Sequence, residues 1–181
     1  NNNLESIILT PKNLDEFYKD YDYVESYFAR FGVVMSQGRP LCDLLVLNPI
    51  ESCWALMYPG WSHWVGTNPH NHEMVGMEHN YATLFHYIMG EHIDFDYGEE
   101  YLMAPSYKVT KEDGKAVLYI GESKYSTVLI SIALTIRPTT VKMLKEFLDM
   151  GGKVVFAGDV PKYVDGEASN EVIELSKHEN A

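Results

Sequence analysis

Residues 44–49 read LLVLNP, 127–131 read TVLIS, and 153–157 read KVVFA. Each holds a short apolar run without alternation, followed by Asn48-Pro49, Ser131 and Gly158 respectively. A strand with one wet face alternates apolar and polar side chains. An unbroken run suits a strand buried on both faces, which is the habit of parallel sheets. The segments between these runs have helical spacing instead. Met74, Met77, Tyr81, Leu84, Phe85 and Ile88 recur three or four apart and stop at Gly90. Val141, Leu144, Phe147 and Leu148 follow Pro138, a residue at home in a first helical turn, and end at Gly151-Gly152.

Working outward, Ile93–Tyr97 reads as another strand and Gly98–Met103 as a short helical turn. Asp113-Gly114 separates two strand-like runs, 107–109 and 116–120, and predicts a tight hairpin. The alternation of strands and helices predicts an α/β sandwich with a mostly parallel central sheet and crossover helices. Its strand order is expected to place the strand near residue 95 at one edge, then those near 45, 129 and 155. Ile132 is expected to continue the strand of 128–130, and the run at 154–157 to be the last strand.

Ahead of the first strand, Leu14, Phe17, Tyr21, Val24, Phe28, Phe31 and Met35 form one stripe on a helix expected over 14–37. Asn13 and Glu16 have capping-box spacing at its start, and Gly38 can end it. Such a stripe needs a large partner, whether its own sheet, another subunit or a preceding domain. The segment 52–72, with Pro59, Gly60, Gly66 and Pro69, is expected to lack regular structure over most of its length. Residues 1–20 read as a linker and helix start, 21–166 as the α/β domain, and 167–181 as a tail with a short helix that frays from Ser176.

The net charge of −12 disfavours nucleic acid and anionic membranes, which both call for clustered cations. No run is long and apolar enough to span a bilayer. The Asn1-Asn2-Asn3 start has no signal-peptide pattern, so a piece of a longer chain and a cytoplasmic setting are expected. Cys42 and Cys53 are too few for a disulfide framework and read as small core hydrophobes.

Ligands of open α/β sheets bind beyond the carboxyl ends of the strands. Glu51, Asp96, Glu99 and Asp159 fall near those ends and could converge there as acid-base carboxylates; capping and solvent contact are the plainer expectation. All three tryptophans, Trp54, Trp61 and Trp64, lie within eleven positions together with His63. Aromatic platforms suit sugar rings and protein interfaces alike. Trp54, close behind a strand, is expected in the core, while Trp61 and Trp64 are harder to bury. The histidines lack metal-ligand spacing, and His79 and His86 lie two turns apart on one helix. A phosphate-binding glycine loop is missing: Asn48-Pro49-Ile50-Glu51 follows the first strand, and its carboxylate would repel a flavin phosphate. No cofactor is expected.

Three stretches, YFARFGVVMSQGRPLCDLLVLNPIESCW (27–54), HIDFDYGEEYLMA (92–104) and TVKMLKEFLDMGGKVVFAGDVPKYVDG (140–166), resemble the glutamine-amidotransferase-like middle domain of multidomain glycoside hydrolases. Family 42 beta-galactosidases are its best-known bearers. The resemblance implies a flavodoxin-like three-layer sandwich that follows a TIM-barrel catalytic domain in the same parent chain and supports homo-oligomer assembly, with catalysis in the barrel. It carries over no catalytic residue: where a true amidotransferase has a nucleophilic Cys on a glycine-flanked elbow, this chain has Ser131-Ile132-Ala133-Leu134. The expectation is a non-catalytic accessory domain in which Trp61, His63 and Trp64 help line an oligosaccharide cleft or a subunit contact. The alternatives are an independent carbohydrate-binding module and a small hydrolase using Glu51, Glu99 or Asp159.

Overall fold

A computed structural model describes the backbone of residues 11–38, 41–57 and 71–181, and the side chains of all of these except 11–17, 19 and 20. The chain forms two compact units, Asn1–Pro40 and Leu41–Ala181. Among the described residues the first holds the helix α1 (Pro11–Met35). It includes Asn13 and Glu16, whose expected capping contact falls on side chains outside the described ones. Among its described side chains, Tyr27 stacks on Phe31 with centroids 6.3 Å apart and meets Phe28 edge-on at 5.4 Å.

The second unit begins with β1 (Leu44–Leu47), then α2 (Ile50–Leu56), α3 (His72–Gly90), β2 (Phe95–Gly98) and α4 (Glu100–Met103). A meander follows, β3 (Tyr107–Glu112), β4 (Lys115–Ile120) and β5 (Ser123–Tyr125). The chain then runs through β6 (Thr127–Ile130), β7 (Thr135–Ile136), α5 (Pro138–Asp149) and β8 (Lys153–Phe156). It closes with β9 (Tyr163–Val164), β10 (Glu167–Ala168) and α6 (Glu171–Leu175).

The fold is mixed α/β around a four-stranded, wholly parallel sheet in the expected order β2-β1-β6-β8. The crossover from β1 to β2 runs one way along the sheet and that from β6 to β8 the other. Right-handed crossovers in opposite directions put their helices on opposite faces. Accordingly Val46 and Leu129 pack with Ile88 and Leu84 of α3, while Leu45, Leu47, Val128, Ile130 and Val154 face α5 and the meander. The second face is the main core, where Leu118, Leu144 and Phe147 are fully buried. The hairpin turn is as expected: Asp113 and Gly114 both have positive φ, 49° and 80°, the requirement of a two-residue primed turn.

Several expectations need correction. Helix α2 (Ile50–Leu56) takes in only the first residues of the segment 52–72 expected to be mostly irregular, of which 58–70 lie outside the described residues; Pro49 precedes its first residue and so costs it no hydrogen bond. Ile132 lies beyond the end of β6. β8 is followed by two further short strands, and β9 pairs with β7 in parallel. The tail does not fray at Ser176: the Asn180 carbonyl accepts the outward-facing Val154 N–H at 3.0 Å, covering part of the edge of β8. Cys42 and Cys53 are only partly buried, and Trp54 is 53% exposed on α2 rather than in the core.

Gly98 ends β2 where α4 turns back over the sheet. A Cβ there would lie 2.6 Å from the Met103 sulfur and 2.9 Å from Leu45 Cδ1. Gly98→Ala is expected to cost about 1–3 kcal/mol by overpacking. Urea unfolding checks this; a loss below about 0.5 kcal/mol would be that of an uncrowded site.

Candidate functional site

In a sheet of this order the crossovers diverge between β1 and β6, so a ligand crevice is sought between the segments that follow them. Two serines close that space. Ser131, buried just after β6, donates its hydroxyl to the Leu47 carbonyl at 2.9 Å. Ser52, fully buried on α2, donates to the Thr135 carbonyl at 3.1 Å and accepts the N–H groups of Leu134 (2.9 Å) and Thr135 (3.1 Å). One hydroxyl offers one donor and two acceptor positions, so Ser52 is fully used. It locks α2 against the start of β7.

Beside this lock lies a polar node that joins three strand ends. Arg137, the residue before Pro138 of α5, reaches Glu51 of α2 through Nε at 2.5 Å. Its guanidinium carbon sits 5.3 Å above the centre of the Tyr101 ring of α4, a cation–π distance. Its backbone N–H donates to Glu100 Oε2 at 2.7 Å. Glu100 is only 2% exposed. No side chain of α5 itself caps that helix, and the Glu100 carboxylate stands in from 37 positions away, where the helix dipole also favours negative charge. Burial pushes the Glu100 carboxyl above the usual glutamate range. Thr140 and the Arg137 N–H pull it down, and Glu51 adds repulsion.

The expected carboxylates are only partly brought together. Glu51 is in the node, and Glu99 is close enough to act on Arg137 electrostatically. Glu99 also caps α4, accepting the N–H groups of Tyr101 (3.2 Å) and Leu102 (2.9 Å). Asp96 is drawn to the meander face instead, where it accepts the Tyr125 hydroxyl at 2.9 Å. Burial and that bond push the Tyr125 phenol up to about 12. Asp159 is exposed in the loop after β8, the opposite edge strand. The expected convergence of four carboxylates therefore reduces to Glu51 and Glu99. Trp61, His63 and Trp64 lie outside the described residues.

Arg137, Glu100 and Ser52 were not singled out by sequence. Arg137 looked like any residue before a helix-starting proline. Glu100 looked like part of an acidic loop, and an isolated serine carries no signal. A small cavity of 190 Å³ adjoins the node, lined by Glu51, Ala55, Thr135, Ile136, Arg137, Asp165 and Gly166. A larger groove of 740 Å³ runs beside β8 and the tail and contains none of the expected site residues. Among the described residues no group of three His, Cys, Asp or Glu side chains is placed to hold a metal, and no helix is long and apolar enough to cross a membrane. His79 and His86 face solvent. No family model, no curated protein and no solved structure matches the chain.

Chemically, the node is a clamp. Glu51 is neutralised by Arg137, Glu99 is spent on a helix start, and both nearby serine hydroxyls are fixed by backbone bonds. Ser52→Ala leaves two N–H groups and a carbonyl without that partner, and is expected to cost about 2–3 kcal/mol. A double-mutant cycle on Glu51→Gln and Arg137→Met is expected to give a coupling of about 1–3 kcal/mol, above the usual value for exposed pairs. Urea denaturation measures both; a coupling near zero would make the pair incidental.

Proposed function

We propose that this chain is a non-catalytic assembly domain of a larger carbohydrate-active enzyme, built as a flavodoxin-like three-layer module. The reading joins the resemblance to the middle domain of multidomain glycoside hydrolases with one observation. The polar groups at the strand ends that look catalytic hold the fold together, while large apolar side chains on α3, β2 and α4 remain exposed. Tyr97, Tyr101 and Leu102 are 45%, 65% and 68% exposed, and Phe85, Tyr87 and Ile93 extend the same character. Phe95 meets Tyr97 edge-on at 5.0 Å, and Tyr81 lies 5.3 Å from Tyr97, so the surface is preorganised. Burial raises the Tyr81 phenol pKa, and its bond with Tyr97 adds to the effect. Clustered aromatic residues are typical of the cores of protein interfaces. The expected partners are a TIM-barrel domain of the same parent chain and further copies of the domain.

Light scattering on the full-length parent protein tests this reading. Replacing Tyr101 and Leu102 with Ser is expected to shift assembly toward smaller species, with the circular dichroism of the isolated chain unchanged. Unaltered assembly would overturn the choice of face. Hydrolysis of aryl glycosides by the isolated chain, lost in Glu51→Gln, would overturn the non-catalytic reading.

A second reading is favoured by Trp54, whose exposed indole on α2 stands at the end of β1. An oligosaccharide-binding module would use it as a stacking platform, with Trp61, His63 and Trp64 following in sequence. Tryptophan fluorescence titrated with oligosaccharides, and lost in Trp54→Ala, would support that reading over the first.

A further inference from the structure

The apolar stripe of α1, from Leu14 to Met35, advances by strictly alternating steps of three and four residues. That is the heptad spacing of a coiled-coil seam. Among the described side chains of the seam, Val24, Phe28, Phe31 and Met35 are 42%, 61%, 50% and 65% exposed. Tyr27 flanks it, stacked on Phe31 and edge-on to Phe28, so three rings form one ridge. Residues 21–35 are rich in Tyr, Phe, Val and Asp and include Gly32, all weaker helix formers than Ala or Leu. A helix of that composition depends on burying its apolar face rather than on propensity.

Charge indicates what covers the seam. Residues 11–25 carry Asp15, Glu16, Asp20, Asp22 and Glu25 against Lys12 and Lys19, whereas residues 26–40 carry Arg30 and Arg39 and no acid. The positions three and four away from Arg30 are Ser26, Tyr27, Val33 and Val34, so its own helix offers it no carboxylate. Among the described residues, Asp22, Glu25 and Arg30 form no ion pair. A parallel pair of such helices would lay acid on acid. An antiparallel pair lays the acidic half of each beside the basic half of the other, and one two-fold axis closes it at two copies. We propose that α1 pairs with α1 of a second copy of this chain as an antiparallel two-stranded coiled coil. Val24, Phe28 and Phe31 form the centre of its seam, and Arg30 of each copy lies beside the acidic half of the other. The pairing does not depend on the assembly reading, whose face lies on α3, β2 and α4.

Sedimentation of the full chain over a range of concentrations tests the pairing. A reversible monomer–dimer equilibrium is expected, with helical circular dichroism falling on dilution as the seam is uncovered. Phe28→Glu should leave single copies, with the amide NMR spectrum of 41–181 retained. Tyr101→Ser with Leu102→Ser should leave the dimer intact. Arg30→Glu should weaken the dimer about tenfold, because it sets like charges together on both sides of the two-fold axis. Orientation is read with Met35→Cys in a chain whose Cys42 and Cys53 are replaced by Ser. In a parallel pair the two introduced thiols share a layer and oxidise to a disulfide. In the antiparallel pair they stand roughly 25 Å or more apart, far beyond the about 7 Å between Cα atoms that a disulfide spans. A disulfide-linked dimer of that variant therefore overturns the proposal. So does a wild-type chain that stays a single copy up to its solubility limit, the result expected if the chain covers its own seam. A dimer kept in Phe28→Glu but lost in the Tyr101→Ser, Leu102→Ser variant overturns it as well, and would leave the assembly reading standing.

Discussion

The constraint on which the body of the molecule depends is the parallel pairing of Leu44–Leu47 with Phe95–Gly98 on one side and Thr127–Ile130 on the other. A central parallel strand exposes neither face, so its four residues must all be apolar, and they are. Parallel neighbours also require long crossovers, each of which returns to the same end of the sheet. That geometry brings α2, α4 and the start of α5 to the strand ends, where unpaired backbone groups and helix starts accumulate.

The polar side chains at that end answer this accumulation. Ser52 satisfies the turn between β6 and β7, Ser131 bonds the last carbonyl of β1, Glu99 caps α4, and Glu100 supplies the cap that α5 lacks. Arg137 then balances Glu51 and lies over Tyr101. In this chain each of these described groups is bonded to the backbone or to another side chain, which makes the rim rigid.

Much of the scaffold was legible because it rests on local pattern. Unbroken apolar runs mark buried strands, three- and four-residue spacing marks α3 and α5, and Asp113-Gly114 accepts the two positive φ angles of its turn. The order drawn from the alternation of strands and helices is the one the sheet has. The omissions share a different cause. Two- and three-residue strands such as β5, β7, β9 and β10 are held by neighbours distant in sequence, and Thr135-Ile136 carries no periodicity to detect. The node was illegible for the same reason: Glu51, Glu100 and Arg137 are separated by 37 to 86 positions. Nothing local distinguishes a buried capping glutamate from its exposed neighbours. Glu99 and Glu100 are adjacent, yet one faces partly outward and the other is sealed beneath α5.

That adjacency bears on how the rim works as a surface. Consecutive residues at a strand-to-helix junction point in different directions. One carboxylate can therefore cap α4 from outside while the next anchors it from within. Residues 101 and 102 follow at once, and their side chains are the exposed Tyr and Leu of the proposed docking face. The aromatic surface and the buried acid are thus two sides of one helical turn. Tyr101 is tied to the node through Arg137 as well, so its position depends on both the acid beneath it and the Glu51 pair beside it.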